Sequence, residues 1–439
     1  MQTSITERIH RDLLPQPFGR AGKIWVAVLL LICAVGLFGY YRQLNYGLSV
    51  TGMRDYALWG IYISNFVFFV AVSLVGSLIT AILRLTNATW STPLTRIAEI
   101  IAVSAILFAS IIIIVDMGRP DRFYYLFLYG RLQSPIMWDV IVITTYLVLG
   151  VLLLYFPLLP DLKILLKFKD SFSPRMVKFY SFLGSFWKGT PDQERILSRS
   201  IRILIITIIP VAFAIHTVTS WLFATTYRAG WDSSNFGAYF VSGAFLVGAG
   251  GVIVAMYVFR RAYHLENYIT LKHFDYMGKM LVMLALLYLY FNINEYLVPA
   301  FKMKKSEEEH LTELFTGSFA PLFWLVILMG MVLPAVVMLF RAGRKPLPMF
   351  IMGILVVVGA WFKRFLIVTP TLLHPFLPVA DAPDEYAHYF PTWEEWAITC
   401  GSLAGALLVI TFFARILPII PIEETVKENL QGEIKPMPS

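Results

Sequence analysis

Charge is what this chain lacks most. Only 15% of its 439 residues are Asp, Glu, Lys or Arg, whereas 58% are hydrophobic. Soluble domains carry about 25% charged and about 45–50% apolar residues, so a soluble globular enzyme and a disordered chain are both excluded. Cysteine is nearly absent: Cys33 and Cys400 both sit in apolar runs. Two thiols cannot complete a four-cysteine iron–sulfur cluster, a structural zinc site or a disulfide framework. Histidine is scarce where a membrane haem would need it. Of seven histidines only His216 falls well inside an apolar segment, and a membrane b-haem takes axial ligands from facing helices. We therefore expect no haem, no iron–sulfur cluster and no metal in this chain. The first 20 residues have no apolar run of signal-peptide type, so no cleavable signal is expected. The run Gly248-Ala249-Gly250-Gly251 lies inside an apolar segment and reads as close helix packing, not as a phosphate loop.

Ten long apolar segments occupy that chain, at about 24–41, 56–83, 94–115, 136–156, 199–224, 236–260, 275–298, 319–340, 348–370 and 396–417. A bilayer span needs about 20 such residues, and backbone polar groups in hydrocarbon must be satisfied within the segment, so these are helices. Their continuous apolarity argues against a barrel, whose strands alternate. The fold class is thus an all-α polytopic membrane protein of about ten transmembrane helices. Faintly similar starts, Gly60-Ile61-Tyr62 and Gly237-Ala238-Tyr239, suggest two four-helix bundles with flanking helices. Residues 1–23 form an N-terminal segment, 24–417 the membrane domain and 418–439 a tail. Pro210 and Pro334 fall inside spans, where kinks are tolerated.

The formal net charge of +8 reports orientation. With charges at helix ends counted with their loops (Arg96 among them), 24 Lys and Arg lie on the side of the termini and 9 on the other, while Lys279, Lys363 and Arg364 lie within spans. The positive-inside rule then puts both termini in the cytoplasm of a bacterial inner membrane, and no nucleic-acid partner is implied. The cytoplasmic loop 157–198 interleaves basic, aromatic and apolar residues, as an amphipathic segment on an anionic leaflet does. The outer loop 371–395 has no Lys or Arg but holds Asp381, Asp384, Glu385, Glu394 and Glu395. It reads either as a solvated loop or as a docking surface for a partner.

In so apolar a chain each ionisable residue within a span is conspicuous, because burial there costs roughly 2.5–3.5 kcal/mol on insertion scales. Asp116, Asp139, His216, Glu295, Lys363 and Arg364 all fall in the outer half of the membrane. Terminal members can snorkel to the interface; His216 and Arg364 lie deeper, with His216 about eight residues, or about 12 Å, from its helix end. A polar pocket of His216, Arg364 and the two aspartates suits a small polar head on an apolar tail, as in a quinol. Its two protons need acceptors that titrate near neutrality. A thinner set toward the inner face, Glu99, Asp275 and Lys279, offers a proton path or ordinary helix-end charges.

The loop after the third span reads Asp116-Met117-Gly118-Arg119-Pro120-Asp121-Arg122 and is followed by Ser134-Pro135-Ile136-Met137-Trp138-Asp139. With Ile215-His216-Thr217-Val218-Thr219-Ser220-Trp221, Ala229-Gly230-Trp231-Asp232 and Arg364-Phe365-Leu366-Ile367-Val368-Thr369-Pro370, this pattern resembles the NrfD/PsrC family of integral membrane subunits over essentially the whole chain. Ten spans resemble its branch in alternative complex III and the HybB and DsrP relatives. The resemblance implies quinol or quinone, with menaquinone expected, bound near the periplasmic face, and electrons exchanged with a periplasmic ferredoxin-like iron–sulfur subunit alongside other membrane and cytochrome subunits. Matched residue by residue, it implies roles for Asp139, Arg119 and His216; taken with the outer-half charges, Asp139, His216 and Asp116 are the candidates for proton exchange, and Arg119, Trp138, Arg364 and Glu295 for holding the quinol. The alternatives are a proton-translocating or a purely anchoring paralogue without quinone turnover.

Overall fold

The computed structural model describes residues 2–86, 88–226, 228–302, 304–374, 383 and 388–434. Ten helical segments form its body: α1 (Arg20–Tyr46), α2 (Ile61–Ser73), α3 (Thr92–Asp116), α4 (Pro135–Tyr155), α5 (Pro191–Ala224), α6 (Phe236–Ala262), α7 (Leu271–Lys302), α8 (Ala320–Leu339), α9 (Pro346–Leu372) and α10 (Trp393–Ile416). Among the described residues nine helices are long and apolar enough to cross a membrane, and the protein is a multi-pass membrane protein. The exception is α2, with 13 residues; it continues through a π-helical stretch, Ser77–Ile82, into Leu83–Leu85. A second π stretch, Leu328–Val332, interrupts α8 immediately before Pro334. A proline removes one helical hydrogen bond and crowds the carbonyl four residues back, and local widening of the helix relieves that crowding. Pro210, by contrast, sits within an unbroken α5.

Helices α2–α5 pack as one four-helix bundle and α6–α9 as a second. The bundles meet where α6 and α9 lie on α2 and where α5 lies on α6. The most buried span is α6, with 72% of its apolar window inside, against 11% for α1; α6 is the central post and α1 faces lipid. The glycine run explains that centrality. A Cβ on Gly248 would lie 2.9 Å from Val75, and one on Gly250 2.9 Å from Val356, so the run lets α2 and α9 close on α6. Helices α1 and α10 pair outside the bundles, with backbones touching at Gly36 and Gly401, where a Cβ would meet the other glycine's Cα at 2.9 Å. A polar hub ties the layers together: Trp361 Nε1 donates to Asn65 Oδ1 (2.7 Å) and Asn65 Nδ2 donates to Thr399 Oγ1 (2.8 Å).

The terminal helices Gln2–Asp12 and Ile422–Ile434 pack together, which puts both termini at one end. That end is locked by Arg96, which by its place at a helix end reads as a solvated loop charge. It is instead fully buried and donates to Asp161 (3.1 Å) and to the carbonyls of Pro157 (3.3 Å) and Pro418 (3.4 Å). Asp161 in turn accepts the first free N–H groups of the C-terminal helix, from Ile422 (3.2 Å) and Glu423 (3.0 Å), where helix dipole and carboxylate charge agree.

At the opposite end the acids of loop 371–395 take a different role from the one expected. Asp381, Asp384 and Glu385 lie outside the described residues. Glu394 and Glu395 belong to the first turn of α10 and are buried. Thr392 and Glu395 form a capping box, and Glu395 also accepts from Gly52 N (2.6 Å) and Tyr389 Oη (2.6 Å), whose oxygen accepts from Ile61 N (2.8 Å). Glu394 lies 3.5 Å from Arg42. Glu395 latches α10 to the segment that leads into α2 and Glu394 ties it to α1 through Arg42, so both carboxylates are engaged within the chain.

Candidate functional site

Helix α4 starts where the sequence tells it to. Ser134 is extended and Pro135 occupies the first helical position, whose N–H would be unpaired in any case. Asp139 follows as the helix enters its second turn, buried, and accepts a hydrogen bond at 2.6 Å from Thr219 Oγ1 of α5. His216 lies three residues before Thr219 on the same helix, and residues at that spacing share a face. His216 Nδ1 lies 3.0 Å from the Ala212 carbonyl. A carbonyl can only accept, so Nδ1 carries the proton and Nε2 keeps its lone pair. That Nε2 is buried and has no hydrogen-bond partner.

Arg364 enters from α9 at the seam between the bundles. It is buried, donates to Tyr288 Oη at 3.1 Å, and stacks over the Phe240 ring at 5.6 Å. Its charge acts on His216, whose ring is also bordered by the Val70 carbonyl of α2. Gly243 makes the space, since a Cβ there would sit 3.0 Å from Arg364 Nη2 and 2.7 Å from the Tyr288 ring. Among the described residues no carboxylate lies within 4 Å of this guanidinium, and Arg364 Nε is unpartnered. A buried cation without a counter-charge is costly; a site that receives an electron-rich oxygen accounts for it. His216 thus shares a helix face with the Thr219 that orients Asp139, and the uncompensated Arg364 guanidinium is its electrostatic neighbour.

Lys363, one residue earlier, points into the second bundle. Its ammonium donates to Tyr296 Oη (2.7 Å) and lies over the rings of Tyr296 (4.8 Å), Phe323 (4.9 Å) and Tyr239 (5.9 Å). Glu295 is in this bundle as well, its carboxylate accepting from Ser233 Oγ (2.9 Å) and Asn235 Nδ2 (3.3 Å). Five of the six conspicuous residues therefore divide between two places, Asp139, His216 and Arg364 on one side and Lys363 and Glu295 in the second bundle, while Asp116 lies apart.

Residues 49–375, which span both bundles, match the family "Polysulphide reductase, NrfD". The chain belongs to the NrfD family. Related proteins include the integral membrane subunit of menaquinone reductase from Nitratidesulfovibrio vulgaris, 23% identical over 94% of this chain and 97% of its own. A membrane subunit from Halobacterium salinarum, assigned to a dimethyl sulfoxide reductase, is 26% identical over 92% of each chain. A selenate reductase subunit from Mesobacillus selenatarsenatis is 22% identical over 95% of this chain and 98% of its own.

Within this NrfD chain the remaining expected residues fall elsewhere. Arg119 is 64% exposed and gripped by Asp121 through two bonds of 3.0 and 2.9 Å. A guanidinium two residues from an aspartate satisfies itself locally, so it stands apart from His216. Trp138 is half-buried, donates to the Leu132 carbonyl, and meets Trp221 edge to face at 6.4 Å, flanking the α4–α5 seam. Asp116 ends α3 with one carboxylate oxygen buried and unpartnered. Its electrostatic neighbours are Glu395 and Tyr62, not Asp139. The inner set falls in two places. Glu99 is buried beside Arg96 at 3.9 Å. Asp275 and Lys279 pair at 2.6 Å on an outward face of α7, 37% and 56% exposed, with Arg344 also 2.6 Å from Asp275. Sequence reasoning missed Thr219, Tyr288 and Tyr296. Thr219 was detectable at helical spacing from His216; the two tyrosines carried no signal among 22.

Proposed function

We propose that this protein is the quinone-reactive membrane subunit of a multi-subunit oxidoreductase. In this reading the end opposite the termini faces the periplasm, as the surplus of Lys and Arg on the other side requires. A quinol, with menaquinol the expected type, seats its ring between α4, α5 and α9. The observation that carries the reading is the buried, unpartnered Nε2 of His216 within a helical turn of the Asp139–Thr219 pair, with the uncompensated Arg364 as its electrostatic neighbour. His216 Nε2 takes the proton of one quinol hydroxyl, and the Ala212 carbonyl holds the resulting imidazolium through Nδ1–H. Asp139, oriented by Thr219, takes the second proton. Arg364 donates to the oxygen that gains negative character. The two electrons pass singly to an iron–sulfur partner on the same side, and the net change is quinol to quinone plus two protons. The name of the Nitratidesulfovibrio relative supports a quinone substrate for this fold.

The test is quinol-linked electron transfer in membranes that hold the assembled complex. His216→Ala and Asp139→Asn should each lose turnover by about 10²–10⁴-fold, the range of general acid–base contributions, with assembly intact on native gels. Wild-type turnover in both variants would sink the proposal.

A further inference from the structure

The helix Pro174–Leu183, in the loop between α4 and α5, has a surface that the proposed redox role does not use. Ser173 caps it, accepting from Met176 N. Two hydrogen bonds fix its height. Tyr180 Oη donates to the carbonyl of Ile416, the last residue of α10 (2.7 Å), and Tyr155, the last residue of α4, donates to the Leu183 carbonyl (2.8 Å). The C-terminal turn of the helix therefore sits against the ends of two spans, where a bilayer's hydrocarbon gives way to headgroups. Lys163 Nζ pins the following turn through the Lys188 carbonyl (2.8 Å).

Its inner face is buried through Tyr180, but its outer face is not polar. Phe179, Phe182 and Phe186 are exposed by 37, 75 and 84%; Arg175, Phe179 and Phe182 follow helical spacing along one stripe, and Phe186 lies in the turn just beyond the helix. Beside the stripe an open groove of about 860 Å³ is lined by Lys169, Asp170, Phe172, Val177, Lys178 and Ser181, among others. Bare phenylalanines flanked by Lys and Arg at the end of a membrane span fit neither water nor hydrocarbon alone. They fit the boundary between them, with rings among acyl chains and ammonium groups among phosphates.

We propose that this groove is a binding site for an anionic phospholipid of the leaflet on the termini side. Lys169 and Lys178 hold the phosphate, and Phe182 and Phe186 enter the acyl layer. Charge complementarity favours an anionic headgroup over a zwitterionic one, and the surface is independent of the quinone reading.

The full-length protein in nanodiscs of phosphatidylcholine with phosphatidylglycerol, released and weighed by native mass spectrometry, tests this. The wild type should keep phosphatidylglycerol in preference to phosphatidylcholine. The double variant Lys169→Glu, Lys178→Glu should lower that retention on the order of tenfold. Phe182→Ser with Phe186→Ser should raise amide exchange across residues 174–186 in the same discs while the thermal transition stays in place. Equal retention of both lipids by the wild type and the charge-reversed variant would overturn the proposal. So would protection of 174–186 that arises only in the assembled complex, which would assign the surface to a protein partner.

Discussion

Replacing Thr219 by valine keeps side-chain volume and helix geometry but deletes one hydroxyl. The 2.6 Å bond from Thr219 Oγ1 is the contact that fixes the Asp139 carboxylate between α4 and α5. Both partners are buried, so water cannot replace the donor. A hydrogen bond to a charged group contributes about 1.5–3 kcal/mol net, and each 1.4 kcal/mol is about tenfold in rate. If Asp139 works only in that orientation, Thr219→Val should cut kcat about 10- to 100-fold with KM nearly unchanged, because Thr219 orients the acceptor without holding the ring. Thr219→Ser restores the hydroxyl and should recover most of the rate. The assay is oxidation of a short-chain quinol by membranes with matched amounts of assembled complex, read across pH. Refutation would be a Thr219→Val rate within twofold of wild type while Asp139→Asn is dead; Asp139 would then act without its partner. Equal losses in the valine and serine variants would point to packing instead.

Three other outcomes follow from the same contacts. Glu395→Ala removes the acceptor of four donors, Gly52 N, Thr392 N, Thr392 Oγ1 and Tyr389 Oη, and should lower Tm by several degrees through a loss of about 3 kcal/mol or more, seen in a thermal-shift scan. His310, in the helix Lys305–Phe315 outside the spans, is held by burial at a pKa of about 4, with His374 and Lys363 adding repulsion. The unfolded chain binds this proton below about 6.5 and the folded one only near 4. Stability should therefore be full above pH 6.5, decline as pH falls between these values, and level off below. His310→Leu should flatten that part of a Tm-against-pH curve, and an unchanged slope would remove His310 as the cause. Lys363→Met fills the aromatic cage with a neutral chain of similar length. A buried charge replaced by an apolar isostere is often neutral or stabilising, so Tm should not fall; a large drop would show that the ammonium–π contacts hold the second bundle together.

The helical architecture was legible because lipid leaves little choice: apolar length, and the placement of Gly248 and Gly250, report directly on spanning and close packing. That His216, Asp139 and Arg364 are buried was legible once their helices were placed. Partnership was not. Arg96 looked like a loop charge because it opens a span, and only tertiary contact with Asp161 and two carbonyls shows it sealed inside. Glu295 and Lys363 shared a depth with Asp139, yet depth is one coordinate of three, and the division into bundles separates them. Arg119 was drawn away by Asp121, a local competitor two residues distant. The role of Glu395 did have a sequence signature, since Thr392 and Glu395 are spaced as a capping box before an apolar run, but the acidity of the whole loop obscured it.

Cryo-electron microscopy of the assembled complex with bound menaquinone puts the central claim to its most direct test. The account predicts ring density between α4, α5 and α9, with one quinone oxygen within hydrogen-bond distance of His216 Nε2 and Arg364 bonded to the same ring. Density for the ring in the second bundle beside Lys363 and Glu295, with the space at His216 closed, would contradict it.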